Sequence, residues 1–316
     1  MTGILQTLGL LGATKKNRGD LIFEIFLLLM ALTLVGLVVL LFIELVVGSF
    51  PALPTFGWRF FFSSKWDPVR EEFGALPAIY GTIVSSLLAL AIAGPIGLLS
   101  AIFLAEYAPR WLERPLSFLI ELLASIPSVV YGLWGLFVLV PLLRPAELFL
   151  NRHLGSIPLF ACMPWGIGML AAVAILAIMI LPYSTAVARD VIRAVPRAQR
   201  EAMLALGATR WETIWYVVVP YARSGIIGGL MLALGRALGE TMAVTMLIGN
   251  RPEISACLFD PAYTLASQIA NEFTEATSAL YLSALIELGL VLFAITFLMN
   301  IFARLLVMSM GPSGRR

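Results

Sequence analysis

Charge is what this chain has least of. Asp, Glu, Lys and Arg make up 13% of its 316 residues, about half the share usual in soluble domains. Hydrophobic residues make up 60%, and the mean hydropathy is +0.95. A soluble protein of this composition would need an implausibly large core, which excludes that class. Only three of the 21 basic residues are lysine and the net charge is +2, too little to imply nucleic acid as a partner. The one histidine, His153, reads as an ordinary outer-loop side chain. Two cysteines, Cys162 and Cys257, are too few for a metal site and lack its spacing. A disulfide between them on an outer face is conceivable, but unpaired thiols are the expectation. No G-x-x-x-x-G-K-[ST] run occurs, so the chain has no phosphate-cradling ATPase loop of its own.

What it has instead is long apolar runs. Six windows reach the ~18–20 residues that cross a hydrocarbon core, at 21–47, 79–104, 116–143, 159–182, 224–248 and 280–306. The first is too long for a cleavable signal core and reads as a retained anchor helix. The expected fold is all-α: a polytopic integral membrane bundle of six transmembrane helices. Residues 1–20 form an N-terminal segment, 21–48 the anchor, 49–78 an outer segment, 79–308 the core and 309–316 a tail. Lys and Arg number 14 in one set of alternate connections and six in the other. That asymmetry puts both termini and the 188–221 loop in the cytoplasm.

Arg236 and Glu240 are the only charges in residues 224–248. An arginine at that depth costs roughly 2.5–3.5 kcal/mol on insertion scales unless it finds a partner or water. On a continuous helix the two share a face, one turn apart. Arginine keeps its charge and offers five donors suited to an oxyanion, with Glu240 as its modulator. The alternative is a salt bridge that only joins helices. Thr241, Thr245, Ser125 and Ser128 are lesser pathway candidates, and back-bonding to helix carbonyls accounts for such hydroxyls equally well. Glu24, Glu44 and Glu121 lie near span ends and reach toward the headgroups, whereas Glu287 lies deeper and is expected to pair across helices. Gly94, Pro95, Pro127, Pro164, Gly235 and Gly239 interrupt several spans, which fits a bundle around a polar passage. Helix packing alone explains any one of the glycines, and Gly235 with Gly239 has the spacing of a close helix contact.

The 188–221 loop carries most of the inner charge. Pro196 is suited to open a helix there, Ala198, Ala202 and Ala205 with Met203 and Leu206 form an apolar stripe, and Gly207 ends it. A second apolar-aromatic segment is expected to end at Pro220. Such a helix suits the membrane surface, the underside of its own bundle, or a soluble partner.

Glu201-Ala202-Met203, Gly207 and Val217-x-Val219-Pro220 resemble the cytoplasmic signature loop of bacterial ABC importer permeases, with Met203 in place of an alanine. Glu106-Tyr107-Ala108-Pro109, the run Ser125-Ile126-Pro127-Ser128-Val129-Val130-Tyr131-Gly132-Leu133-Trp134-Gly135, Ala270-Asn271-Glu272-Phe273 and the run from Gly235 through Thr241-Met242-Ala243-Val244 to Asn250 resemble the PstC-type permeases of phosphate importers. The resemblance implies the ABC importer permease fold, in a chain that moves inorganic phosphate unchanged and has no catalytic residue. It implies a PstA-type sister permease as heterodimer partner, two ATPase subunits, an extracytoplasmic phosphate-binding protein and the lipid bilayer. ATP and Mg would be bound by the partner ATPase, with no cofactor on this chain. Arg200, Glu201, Ala202, Met203, Leu206, Gly207 and Ala208, within a 196–210 coupling loop, would seat on that ATPase. The rival readings are a sulfate or molybdate permease, an ion-coupled carrier with Glu240 as its proton site, and a membrane scaffold.

Overall fold

The computed structural model describes residues 18–309. The basic Lys15-Lys16-Asn17 segment and the tail from residue 310 lie outside the described residues. Six described helices are long and apolar enough to cross a membrane: Gly19–Gly48, Leu76–Tyr107, Ser128–Leu154, Met169–Arg193, Arg210–Leu238 and Ala279–Ser309. The chain divides into two units, the first ending at Val47 and the second running from Gly48. Helix α1 (Arg18–Gly48) accounts for the described part of the first unit. Between Glu24 and Glu44 its side chains are apolar around the circumference apart from Thr33, as a lipid-facing anchor requires.

In the second unit the most enclosed helix is α6 (Met169–Arg193). Helix α2 (Leu76–Ile102) buries a face of small residues, Ala78, Thr82, Ser85, Ala89, Ala93 and Gly97, of which Ala89, Ala93 and Gly97 pack on α6. Their spacing of three to four residues keeps them on one side. A Cβ at Gly97 would strike Ser184 of α6, so the approach there depends on glycine. A π turn at Phe103–Tyr107 follows α2.

The third span departs from the 116–143 expectation. Helix α3 (Arg110–Ser125) is amphipathic and buries no residue. The chain then straightens at Ile126 (φ −66°, ψ 129°) and Pro127, because the proline ring pushes its predecessor out of the helical region. Helix α4 (Ser128–Trp134), a π turn (Gly135–Leu139) and α5 (Val140–Leu154) make the actual crossing. The fourth span is also shifted from 159–182. Residues 155–168 hold only a short 3₁₀ turn at Pro158–Phe160, with Gly166 at φ +82°, and α6 continues through Pro182 to Arg193.

Helix α7 (Arg197–Ala205) is opened by Pro196 in extended conformation. It closes with Gly207 at φ +88°, where the Gly207 and Ala208 amides donate to the Leu204 and Met203 carbonyls at 3.0 and 3.2 Å. This is the Schellman closure that glycine permits. Thr209 and Glu212 form a capping box for α8 (Arg210–Thr213). The capped turn restarts the chain as a membrane helix through a π turn (Ile214–Val218) and α9 (Val219–Leu238). Pro220 therefore lies inside this span, just past the π turn, and does not end a segment.

The fifth span stops at Leu238, not at residue 248. Gly239 caps it, and α10 (Met242–Leu247) is a separate short helix. Gly132 and Gly135 let α10 lie close on α4: a Cβ at either would come within 2.6 Å of Met246 or Leu247. Beyond α10 the chain folds back over the start of α6. Leu247, Asp260 and Leu258 carbonyls accept from the Gly168, Met169 and Leu170 amides at 2.9, 3.0 and 2.7 Å, covering donors that a helix start leaves open. Cys162 and Cys257 are joined in a disulfide across this region, with Cα atoms 6.2 Å apart. That corrects the expectation of unpaired thiols. Helix α11 (Leu265–Glu272), with Thr264 and Ser267 in a capping box, precedes α12 (Ala279–Ser309).

Candidate substrate pathway and coupling surface

Arg236 lies in the last turn of α9, where the carbonyl end of the helix dipole favours a cation. Glu240 lies past the cap, so the two residues do not share a helix face as a continuous span would have them do. They still face each other: Arg236 Nη2 stands 3.8 Å from Glu240 Oε2, with Glu240 buried and Arg236 half-buried. That distance is an ion pair but too long for a hydrogen bond. Arg236 Nε is buried without a hydrogen-bond partner among the described residues. The guanidinium carbon sits 5.0 Å over the ring of Tyr183 on α6. Its charge is thus held while its N–H donors stay largely unspent.

The pathway hydroxyls are differently placed. Thr241 Oγ1 donates to Gly239 O at 3.3 Å and Thr245 Oγ1 to Thr241 O at 2.8 Å. Ser125 Oγ donates to Leu122 O at 2.8 Å, and Ser128 is half-buried at the start of α4. Three of the four donors are engaged by local carbonyls, the back-bonding alternative. A Cβ at Gly235 would meet nothing, and one at Gly239 only its own helix. The glycine pair makes no close helix contact within the described residues. Glu287 is fully buried with both carboxylate oxygens unpartnered among the described residues, so the expected cross-helix pair is not formed.

The loop around α7 is tied to the bundle by arginines. Arg200 donates through Nε and Nη2 to Glu106 Oε1 at 3.1 and 2.8 Å, through Nη2 to Ile192 O at 2.8 Å, and through Nη1 to Val195 O. Arg210 donates to the Glu106 carbonyl and lies 4.8 Å over the Tyr107 ring. Arg200 within α7 and Arg210 just past it therefore both grip Glu106, and Arg210 also covers Tyr107. Arg193 pairs with Glu113, and Arg189 Nη2 with Glu121 at 3.3 Å; Glu121 thus does not simply face headgroups. Glu201, Ala202 and Leu206 remain exposed, Leu206 by 83%, while Met203 and Ala208 are half-buried.

Residues 93–311 match the family described as binding-protein-dependent transport system inner membrane component. A phosphate transport system permease protein PstC of Mesorhizobium japonicum is 53% identical over 272 residues, covering 84% of this chain and 83% of the relative. The PstC of Pasteurella multocida is 50% identical over 270 residues, covering 84% of each, and a Xylella fastidiosa PstC is 46% identical over 303 residues, covering 94% and 93%. The chain belongs to this family, among its PstC-type permeases.

Solved ABC transporters share the fold at low identity. A bacterial alginate ABC transporter, in complex with its periplasmic protein, superposes with a TM-score of 0.59 at 16% identity, covering 90% of this chain and 94% of that one. The MetNI methionine ABC transporter in an inward-facing form gives 0.56 at 18% identity, covering 74% and 95%. Like its relatives the chain is a multi-pass inner-membrane transport component and not an enzyme.

Several residues of structural consequence are not among the site candidates: Tyr183, Trp66, Tyr263 and Tyr281 lie outside the motifs, and Tyr131, Asn271 and Glu272 lie within them without their contacts being legible there. Tyr183 and Tyr131 sit in apolar spans, and their hydroxyls donate to the Ala124 and Leu123 carbonyls at 3.1 and 2.9 Å. Glu272 accepts from Trp66 Nε1 at 2.5 Å and from Tyr281 OH at 2.7 Å, tying the 49–78 segment to α11 and α12. Burial first, and then the Glu272 carboxylate, push the nearby Tyr263 hydroxyl up to about 12; Asn271 donates to it at 2.7 Å.

Proposed function

We propose that this chain is the permease subunit through which an ATP-driven importer moves inorganic phosphate across the inner membrane, with Arg236 as its anion contact. The observation that carries the role of Arg236 is its largely unspent guanidinium inside a membrane bundle. A cation kept only for stability would be expected to spend its donors, because unpaired buried donors are costly. Among the described residues Nε has no partner, and Nη2 stands 3.8 Å from the Glu240 carboxylate. Phosphate brings the acceptors that such a fork needs. Substrate identity is supported by the PstC relatives, all named as phosphate permeases.

Glu240 fits a modulating role. It weakens the grip of Arg236 on an anion and supplies the facing charge when the site is empty. Phosphate keeps one or two protons near neutral pH, whereas sulfate keeps none. A carboxylate accepts from a P–OH and repels a fully ionised oxyanion. Thr241, Thr245, Ser125 and Ser128 are secondary candidates, the first three after release of their backbone bonds.

The chain works as one half of a heterodimer with a PstA-type sister permease. Two ATPase subunits that bind ATP and Mg sit beneath it, and an extracytoplasmic phosphate-binding protein delivers the cargo. Both termini and α7 face the cytoplasm, in keeping with 14 basic residues in one set of connections against six in the other. Arg200, Glu201, Ala202, Met203, Leu206, Gly207 and Ala208 form the coupling surface. Arg200 anchors it from behind, and Leu206 presents the apolar contact. ATP binding pushes on α7 and rocks the bundle between outward-open and inward-open forms.

The test is reconstitution of the full importer in proteoliposomes with labelled phosphate and sulfate. ATP-dependent uptake of phosphate in preference to sulfate is expected. Uptake driven by a pH gradient without ATP would instead make it an ion-coupled carrier.

A further inference from the structure

Helix α3 has no fully buried residue, and beside its half-buried Leu112, Leu116 and Ile120 a series of polar contacts holds it. Next to its start, the π turn offers the Glu106 carboxylate to Arg200 of α7 at 2.8 Å. Along its length Glu113 pairs with Arg193 and Glu121 with Arg189. At its far end the carbonyls of Leu123 and Ala124, which a helix terminus leaves open, accept from Tyr131 and Tyr183. The Tyr183 ring then lies under Arg236. Each member of this series, from α7 to Arg236, is a specific contact of named groups.

We infer that Tyr183 is the positioning residue for Arg236, its ring holding the guanidinium in the pathway and its hydroxyl joining that site to α3. This inference rests on the proposed role of Arg236 as the anion contact. The chemistry favours an aromatic ring for this task. A carboxylate at hydrogen-bond distance would also hold the arginine, but it would consume the N–H donors and neutralise the charge that an oxyanion needs. A ring face attracts the cation through its quadrupole and takes no donor. Glu240, at 3.8 Å, balances the charge without holding the fork. The hydroxyl performs a separate task. It ties α6 to the Ala124 carbonyl in the last turn of α3, and the π turn that precedes α3 is gripped through Glu106 by Arg200 and Arg210. A displacement imposed on α7 therefore reaches both elements that set the height of the Tyr183 ring.

The experiment uses the complete importer in proteoliposomes, with assembly checked by co-purification of all subunits. It measures phosphate KM and phosphate moved per ATP for Tyr183→Leu, Tyr183→Phe, Arg236→Gln and the Tyr183→Leu/Arg236→Gln double variant. Loss of the ring is expected to raise KM about tenfold, the size of a partly desolvated cation–π contact. The same change in the Arg236→Gln background is expected to add nothing. Tyr183→Phe keeps the ring, so its KM stays within about twofold of wild type, while phosphate moved per ATP falls because the α3 tie is gone. Normal KM in an assembled Tyr183→Leu importer overturns the inference. So does a further tenfold loss in the double variant, or a Tyr183→Phe importer that raises KM as Leu does or keeps the wild-type ratio. Should Tyr183→Leu fail to assemble, the Tyr183→Phe split between KM and coupling ratio decides alone. Normal transport by Arg236→Gln removes the anion-contact reading and this inference together. A defective Arg236→Gln beside a normal Tyr183→Leu removes only the inference.

Discussion

Glu240 faces Arg236 across the end of a helix, at 3.8 Å, rather than along one continuous face. The break at Gly239 lets the carboxylate approach without forming the hydrogen bonds that would occupy the guanidinium. Replacing Glu240 with Gln keeps the shape and removes the repulsion toward a fully ionised oxyanion. Phosphate is then expected to bind more tightly and leave more slowly, and sulfate to compete better. Loss of one facing charge in a partly buried site is worth on the order of 1–3 kcal/mol, so the sulfate inhibition constant should fall about tenfold. Competition of sulfate with labelled phosphate uptake measures it. Unchanged discrimination would show that selectivity lies in another component of the importer.

Arg200 and Leu206 lie on the same short loop and are expected to fail in different ways. Arg200 is held by Glu106 and two carbonyls. Its replacement by Ala strands the largely buried Glu106, at a local cost on the order of 3 kcal/mol. The ATPase should still bind, and phosphate moved per ATP should drop. Leu206→Ser should instead weaken ATPase binding roughly tenfold or more, the worth of one apolar side chain seated in a groove. Co-purification and the coupling ratio separate the two.

The Cys162–Cys257 bond closes a loop with a sequence separation of 95. Loop-closure arguments give such a link up to about 4–5 kcal/mol. Because the bond lies away from Arg236 and α7 in the chain, reduction or a double Cys→Ser change should lower the melting temperature and spare transport at moderate temperature. Thermal unfolding with and without reductant checks this. Equal melting temperatures would mean that the backbone bonds to Gly168, Met169 and Leu170 suffice.

Tyr263 supplies a pH limit. Its folded-state value of about 12 lies above the ordinary 10.0, so its neutral hydroxyl contributes fully below pH 10. The contribution is lost as pH rises through 12. Wild-type melting temperature should therefore fall across that window, and the fall should be shallower in Tyr263→Phe. Parallel curves for the two would place alkaline sensitivity elsewhere.

The residues themselves explain which features were legible beforehand. Six apolar runs, the Pro196 opening and the Gly207 stop depend on local chemistry, and local chemistry reads directly. The ends of the third and fifth spans do not. A hydropathy window sees the apolar side chains on both sides of Pro127 and Gly239 but not the backbone that turns there. It also misses that the polar stretch from Tyr183 to Arg193 continues α6. Cys162 and Cys257 are far apart in sequence, so their meeting depends on the return of the chain over the start of α6. Tyr183 carries no pattern at all, because its use arises from three helices converging on one ring. Glu106 was visible only as part of a resemblance; its role as the anchor for both Arg200 and Arg210 needed coordinates. Glu287 was expected to find a partner because burial demands one, yet none of the described residues supplies it.

The central claim is that phosphate passes beside Arg236 in an ATP-coupled permease. The most direct measurement is ATP-dependent phosphate uptake per assembled importer for Arg236→Gln, with subunit stoichiometry determined on the same preparation. The account predicts a fully assembled complex whose uptake falls at least about tenfold, the loss of one charge-assisted contact. A complex that assembles poorly yet transports normally for each intact copy would contradict it, and would leave Arg236 as a bundle-joining salt bridge.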